Sequence, residues 1–243
     1  MSNNEKNDSI LEELKKEAIA FDKLYQYEKA VECYNKALEI NSNYTFMLSR
    51  KGDSLENLGR YDEAAECFRK ALERYNKRLD ANPKNATALS SKSVALDRLG
   101  RHEEALEFIN KALEIDPMYL NALVNKSATL YDLGKYEEAL EFCNKALEIN
   151  PNYAIALHNK NAALCRLGRN IEALDCIDRV LKRDPNDADA IRDKGITLYH
   201  LGKHQEAVEF CNKALEINPY DVYALDAKDY FLDSSKESSS GII

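Results

Sequence analysis

All five prolines of this chain stand 34 residues apart, and this spacing restricts the fold more than any other feature of the sequence. The prolines are Pro83, Pro117, Pro151, Pro185 and Pro219. Four glycines keep the same step, namely Gly100, Gly134, Gly168 and Gly202. Because Gly and Pro interrupt regular structure, their confinement to recurring positions indicates a repeated structural unit rather than one globular core.

Each unit contains two runs of helical character. The clearest copy covers residues 133–151 and returns at 201–219 with the same ending, EFCNKALEINP. In both runs the apolar residues recur with the three- and four-residue spacing of an amphipathic helix. Gly134 falls between the runs, where a left-handed C-cap would end the first helix, and Pro151 ends the second. The unit is therefore predicted to be two antiparallel helices joined by a tight turn.

A small residue at unit position 8, alanine at positions 20 and 27 and proline at position 32 resemble the tetratricopeptide repeat family. Position 20 is alanine in every unit, at Ala30, Ala64, Ala105, Ala139, Ala173 and Ala207. The resemblance covers nearly the whole chain. It implies an all-α fold, a right-handed superhelical solenoid of six helix-turn-helix repeats followed by a C-terminal capping helix.

The sequence divides into one solenoid with polar segments at both ends. Residues 1–10 and 234–243 are expected to be disordered. The predicted repeats are 11–44, 45–85, 86–119, 120–153, 154–187 and 188–221, and the predicted capping helix is 222–233. The second repeat is seven residues longer than the others, near residues 75–81. Since seven residues are about two helical turns, the insertion is expected to lengthen the second helix, with a partner-specific protrusion as the alternative.

Composition excludes several classes of partner. The net charge of −8 argues against non-specific binding of nucleic acid, which requires clustered Lys and Arg. No apolar run approaches the roughly 20 residues needed to cross a bilayer, so no membrane association is predicted. The first nine residues lack the apolar core of a signal peptide, and the expected location is cytoplasmic.

The six cysteines are predicted to be structural thiols or, in one case, a groove residue. Cys33, Cys67, Cys143, Cys176 and Cys211 occupy apolar positions of second helices, where cysteine packs as a small hydrophobic residue. Cys165 lies instead on a first helix and could face a groove and react. No spacing of Cys and His suits a metal ion, and no catalytic motif is present, so we predict no metal, no cofactor and no enzymatic activity.

The resemblance also implies where a partner would bind. In the family the first helices line a concave wall, which commonly uses unit positions 2, 5, 6, 9, 12 and 13. Transferred to the later repeats, these positions predict a peptide-binding groove that includes Asn121, Val124, Asn125, Tyr131, Ile155, His158, Asn159, Arg166, Arg192 and Tyr199.

The predicted groove has a charge gradient. Acidic residues Asp22, Asp53 and Glu56 lie in the early repeats, whereas Arg98, Arg166 and Arg192 lie in the later ones. Arginine meets a carboxylate with two parallel hydrogen bonds. We therefore expect the acidic or carboxylate end of a peptide near Arg166 and Arg192.

The carboxylate clamp of chaperone-binding family members is not matched. Lys15 fits its first position, but Ile19 replaces an asparagine, and Thr87 and Ser91 stand where cations are required. The prediction is thus a non-catalytic scaffold that binds a peptide, a tail or a partner helix in the concave groove. The alternative is a structural protein that self-assembles through its solenoid ends, for instance as a homodimer.

Overall fold

The computed structural model describes the backbone of residues 3–240 and the side chains of residues 7–232. Thirteen α-helices, and no strands, occupy this described part of the chain. In order they are α1 (Asn3–Lys23), α2 (Tyr27–Ile40), α3 (Thr45–Asn57), α4 (Tyr61–Ala81), α5 (Ala86–Arg98), α6 (His102–Ile115), α7 (Leu120–Asp132), α8 (Tyr136–Ile149), α9 (Ala154–Arg166), α10 (Asn170–Arg183), α11 (Ala188–His200), α12 (His204–Ile217) and α13 (Val222–Ser240).

The chain forms two compact units, Met1–Pro117 and Met118–Ile243. In the first unit α1 packs on α2, α3 on α4 and α5 on α6, and α2 and α4 also contact the helix that follows. The second unit repeats this arrangement from α7 to α12, and α13 packs on α12 and α11. The prediction of an all-α fold built from stacked helix pairs and a closing helix is confirmed for the described residues.

The turns within the pairs depend on a left-handed residue. Gly134 has a φ of 74°, and Lys135 N–H donates to the carbonyl of Leu130 across the turn. Tyr25 occupies the corresponding place in the first pair and adopts a φ of 56°. The hydrogen bond from Gln26 N–H to Phe21 O closes that turn in the same way. The first turn therefore keeps the repeat geometry, at the steric cost that a side chain bears in this region.

Small residues allow the two helices of each pair to approach closely. All six alanines of unit position 20 are at most 1% exposed. Gly52 lies where α3 crosses α4, and a Cβ atom there would stand 2.5 Å from Cε1 of the buried Phe68 ring. Since packed interiors have little free volume, the pattern of small residues in the sequence follows from helix contact.

The ends of the chain differ from the predicted bounds. The first repeat was predicted to begin at residue 11 and the capping helix to end at residue 233, whereas α1 begins at Asn3 and α13 continues to Ser240. The disorder expected for residues 1–10 and 234–243 stays a prediction. Both extensions consist mainly of polar residues. Residues 1–2 and 241–243 of the same two predictions lie outside the described residues.

The seven-residue insertion lengthens α4, as predicted. This helix has 21 residues, whereas the second helices α2, α6, α8, α10 and α12 have 14 each. Tyr75 is buried at the start of the added segment, and its hydroxyl lies 3.3 Å from Oγ of Ser49 on α3. Tyr75 therefore anchors the added segment of α4 to α3.

The closing helix α13 covers the second unit with aromatic contacts. Phe231 is buried and stacks on Tyr199 of α11, with ring centroids 4.1 Å apart. The helix also exposes large apolar side chains, among them Tyr223, Leu225 and Tyr230. Among the described helices, none combines the length and apolar character that crossing a membrane requires.

Candidate functional site

A cleft of about 310 Å³ opens in the second unit. Four helices contribute to it: α7, α9, α11 and α13. Its walls combine aromatic, aliphatic and charged side chains. The lining residues are Tyr131, Asn161, Ala162, Cys165, Arg166, Arg192, Asp193, Ile196, His200 and Tyr223.

Hydrogen bonds below the cleft hold α9 against its neighbours. The buried amide of Asn161 donates to Thr197 Oγ1 at 2.9 Å and to Ala173 O at 3.1 Å. Thr197 in turn donates to the carbonyl of Asp193, and Cys165 Sγ lies 3.4 Å from Thr197 Oγ1. Each of these polar groups therefore has a hydrogen-bond partner in the floor of the cleft.

Cys165 does contribute to the cleft, but not as a reactive thiol. Burial raises the pKa of its thiol above the ordinary value, and the hydrogen bond with Thr197 only partly offsets this effect. Since the thiolate is the reactive form, a raised pKa makes Cys165 less nucleophilic. The suggestion that it reacts is therefore revised to a packing role.

Arg192 is surrounded by carboxylates of its own unit. Its guanidinium lies 2.6 Å from Asp189, 3.0 Å from Asp193 and 3.0 Å from Asp221, and its side chain is 15% exposed. Burial alone would lower the pKa of Arg192, but these three carboxylates outweigh burial and raise it. A guanidinium already bound to three carboxylates has little capacity to receive another from a ligand.

His158 belongs to the same buried network. Its Nδ1 lies 2.7 Å from Asp193 Oδ2, and its Nε2 lies 3.8 Å from Asp187 Oδ2. Burial would lower the pKa of His158, but hydrogen bonds to Asp187 and Asp193 raise it to about 9. The imidazole is therefore protonated at neutral pH and connects α9 to α11 as an ion pair.

Arg166 is the cation that the cleft presents to a ligand. Its side chain is exposed, and its guanidinium carbon lies 5.9 Å from the ring centroids of both Tyr131 and Tyr136. The nearby Tyr131 hydroxyl is the main cause of its raised pKa, followed by Tyr136. No carboxylate among the described residues forms an ion pair with Arg166, so its charge is not compensated there.

His200 adds a neutral imidazole at the rim. Burial, followed by the charge of Arg166, lowers the pKa of His200 below its ordinary value. At neutral pH the cleft therefore offers one uncompensated positive charge, several hydrogen-bonding side chains and the apolar surfaces of Ala162 and Ile196. This combination suits an amphipathic peptide segment with a carboxylate.

Three of the ten predicted groove residues line the cleft, namely Tyr131, Arg166 and Arg192. Two others are occupied within the fold: Val124 is buried, and the Asn159 amide donates to Val124 O and Ser127 Oγ. Both side chains are used in contacts between helices, so neither is part of the cleft. Tyr199 stacks on Phe231 of α13, and His158 is paired with Asp193. Neither side chain lines the cleft.

The other three predicted residues lie away from the cleft. Asn121 is exposed and accepts a hydrogen bond from the Tyr153 hydroxyl at 3.1 Å. Ile155 is 51% exposed, and Asn125 is half-buried.

The sequence-based selection missed several lining residues for a simple reason. Ala162 and Ile196 occupy unit position 9, Asp193 occupies position 6, and Tyr223 occupies position 2 of the closing helix. The same concave positions, applied to every later repeat and continued into α13, would have found all four. Asn161 at position 8 gives no such signal, because that position normally holds a small packing residue.

In the first unit the acidic residues are paired within the fold. Asp22 accepts hydrogen bonds from Tyr34 and Ser54, each at 2.6 Å, and pairs with Arg50 at 3.0 Å. Arg98 lies 3.3 Å from Asp53 and 3.6 Å from Glu56. The charge gradient expected from the sequence is therefore largely neutralised by partners of opposite charge in the same unit.

Family profiles match most of the chain. Two that are described as tetratricopeptide repeat match residues 17–44 and 43–118. A third, described as the N-terminal TPR repeats region of psidin, matches residues 128–227. Among curated proteins, the uncharacterized protein MJ0572 of Methanocaldococcus jannaschii is 51% identical over 41 residues, which are 17% of this chain and 48% of that protein. The match thus spans about half the length of that relative.

Solved structures with a similar backbone fold include that of YrrB, which is described as a TPR protein with an unusual peptide-binding site. It is 26% identical, with a TM-score of 0.52 over 82% of this chain and 99% of that one. The thermophilic TPR protein TTC0263 of Thermus thermophilus is also 26% identical, with a TM-score of 0.60 over 78% and 97% of the two chains. A tetratricopeptide repeat protein of Parabacteroides merdae is 19% identical, with a TM-score of 0.60 over 95% and 89%, which indicates the fold alone.

Proposed function

Because this chain belongs to the tetratricopeptide repeat family, we propose that it is a non-catalytic scaffold that binds a segment of a partner protein in the cleft of its second unit. The single observation that carries this proposal is the uncompensated charge of Arg166 beside an open cleft of about 310 Å³. The six free cysteines suit a reducing compartment, so we also propose a cytoplasmic location.

The chemistry of the cleft restricts the segment that it would bind. A carboxylate, from an acidic side chain or a chain terminus, would pair with the guanidinium of Arg166. An adjacent apolar or aromatic side chain would lie against Ile196 and Ala162. Tyr131 and Tyr223 offer aromatic faces together with polar hydroxyls, a combination enriched where proteins bind one another.

Two further considerations support a peptide or tail over other ligands. YrrB, which is similar over most of this chain, is described as having a peptide-binding site. The ion pairs of Arg192 remove the second cation that a compact dianion would need, so one carboxylate on an extended segment is the better match. Arg192 then serves as a positioning residue for α11 and α13.

We expect Arg166→Ala to weaken binding of the partner segment by about tenfold to a hundredfold, because a charge-assisted hydrogen bond contributes about 1.5–3 kcal/mol. The partner would first be recovered with the wild-type protein from a lysate of the source cells and then purified. Its affinity for each variant would be measured by calorimetry.

Arg169→Ala is the matched control for this experiment. Arg169 is an exposed arginine three residues further along, outside the cleft and paired with Glu172 at 2.7 Å. Equal affinity of the Arg166→Ala protein and wild type would refute the proposed site. A loss in both variants would show that general charge, and not the cleft, drives the binding.

Self-assembly through the closing helix is the second candidate function. Outside the cleft, α13 exposes Tyr230 at 63% and Leu225 at 42%, and such surface is often covered by a partner. A dimeric mass in light scattering that Leu225→Glu converts to a monomeric mass would support it. A monomeric wild-type protein at high concentration would exclude it.

A further inference from the structure

A second and larger cleft, of about 630 Å³, lies in the first unit. It is bounded by the turn between α2 and α3, the first residues of α3 and the end of α4. Tyr44 and Phe46 form its aromatic side, and Arg74, Lys77 and Arg78 form its basic side. The cleft thus has three cations on one side, although the net charge of the chain is −8.

The helix extension creates this basic face. Lys77 and Arg78 belong to the residues by which α4 exceeds the other second helices, and Arg74 comes one turn earlier. Tyr75, which is buried against α3, holds the extended part of α4 in place. A second helix of 14 residues would end at Arg74, before the positions of Lys77 and Arg78.

The cations of the cleft lack the ion pairs that other exposed cations of this chain have. Arg60, Arg101 and Arg169 each pair with a glutamate three residues later, at 2.6–2.7 Å. Within α4 the ion pairs of described residues join Arg69 and Lys70 to Glu66, and none includes a cation of the cleft.

Sequence neighbours do not neutralise the cleft either. Lys77 and Arg78 follow Arg74 by three and four residues, so both repel its charge along the helix. Glu73 and Asp80 lie on the same helix but form no ion pair with Lys77 among the described residues. The arrangement costs helix stability and is not offset within the part of the chain that the structure describes.

Arg74 also contrasts with its counterpart in another repeat. Arg183 holds the corresponding position in the second unit, and its Nη1 donates to the carbonyl of Asn152 at 2.7 Å. The Nη1 of Arg74 is buried, and it has no hydrogen-bond partner among the described residues. A buried donor without an acceptor is costly, and an acceptor brought by a ligand would remove that cost.

The opposite wall is aromatic. Tyr44 and Phe46 have ring centroids 6.3 Å apart, and Phe46 is 38% exposed. The Tyr44 hydroxyl donates to Glu12 at 3.2 Å, and Lys15 lies 5.6 Å from the centre of the Phe46 ring. The cleft therefore offers an apolar surface beside a row of positive charges.

We propose that this cleft binds a carboxylate-rich segment of a partner protein that also carries an apolar side chain. Carboxylates would meet Arg74, Lys77 and Arg78, and the apolar side chain would lie on Phe46. A protein segment fits better than nucleic acid because the overall negative charge of the chain repels a long polyanion, whereas a short acidic segment meets only the local positive field. This surface is separate from the cleft at Arg166.

The proposal can be tested with a fluorescein-labelled oligoglutamate peptide that contains one phenylalanine. We expect the full-length protein to bind it in fluorescence anisotropy, with an affinity that falls as salt screens the charges. The double variant Lys77→Glu, Arg78→Glu changes two exposed positions and should weaken binding by at least about tenfold. Circular dichroism would verify that the variant keeps its helices.

The double variant Lys36→Glu, Lys111→Glu is the matched control. It makes the same change in net charge at exposed helix positions of the same unit, away from the cleft. The control should bind the peptide within about twofold of wild type. Because the peptide also suits the cleft at Arg166, the comparison is repeated in the Arg166→Ala background, where the Lys77→Glu, Arg78→Glu change should still weaken binding by at least about tenfold. Failure at one cleft can thus be distinguished from failure at the other.

Three results would overturn the proposal. The first is that the wild-type protein does not bind the peptide even at low salt. The second is that both charge-reversal variants lose binding equally, which would indicate a general charge effect. The third is that oligothymidylate binds more tightly than the peptide and loses its affinity in the Lys77→Glu, Arg78→Glu variant, which would assign the cleft to nucleic acid.

Discussion

Replacing Arg192 with alanine is expected to lower the free energy of unfolding of the second unit by about 3–5 kcal/mol, because removal of one partner leaves buried charges uncompensated. Asp193 and Asp221, whose side chains are 15% and 2% exposed, would lose their shared cation. Asp221 also caps α13 by accepting a hydrogen bond from Ala224 N–H at 3.0 Å. The change should therefore loosen the closing helix as well as α11.

Urea unfolding followed by circular dichroism would measure this effect. Arg169→Ala removes an exposed ion pair and should change the free energy of unfolding by less than about 1 kcal/mol. Arg192→Lys should lower the free energy of unfolding by an amount between those of Arg192→Ala and Arg169→Ala. Lysine keeps the charge, but it lacks the planar guanidinium that binds several carboxylates at once. An Arg192→Ala protein as stable as the Arg169→Ala control would contradict the assignment of a buried network.

The second large effect is a dependence of stability on pH through His158. Its pKa is raised from 6.5 to about 9, so the folded state holds the proton more tightly than the unfolded state. The resulting stabilisation is fully present below pH 6.5 and is lost as the pH rises through 9. At about 1.4 kcal/mol for each unit of pKa, the loss amounts to roughly 3 kcal/mol.

Comparison of wild type with His158→Gln isolates this contribution from other groups that titrate in the same range. Glutamine keeps a hydrogen-bonding side chain but cannot take up a proton in this range. We expect the difference in free energy of unfolding between the two proteins to shrink as the pH rises from about 6 to about 9.5. A difference that stays constant with pH would show that His158 is not protonated in the fold.

The role of Arg192 and His158 in stability also determines which variants can be used to test binding. The network of Arg192, His158 and Asp193 joins α9, α11 and α13, the helices that carry most of the cleft. A variant of Arg192 could lose partner binding simply because these helices move apart. Arg166, which forms no ion pair with described residues and is exposed, is therefore the position at which a loss of binding reports on recognition itself.

Local sequence patterns were sufficient for the helices and their pairing. The regular spacing of Pro151 and its counterparts, the apolar periodicity and the alanines at unit position 20 all act within one helix pair, and short-range preferences decide them. The same holds for α4, since an insertion of seven residues without Gly or Pro continues a helix with little change of face. The concave-wall positions identified only part of the cleft: Tyr131, Arg166 and Arg192 line it, whereas Val124 and Asn159 pack between helices.

The tertiary structure alone decided which polar side chains remain available to a partner. In sequence, Arg166 and Arg192 occupy equally plausible groove positions. In the structure Arg192 pairs with Asp221, the residue before α13, whereas Arg166 lies near Tyr131 and Tyr136 and pairs with no carboxylate of the described residues. Likewise Arg183 donates a hydrogen bond to the carbonyl of Asn152, whereas the buried Nη1 of Arg74 has no acceptor among the described residues. The repeat period determines on which face a charge lies, but its neutralisation depends on side chains about 30 residues away, and only packing brings these together.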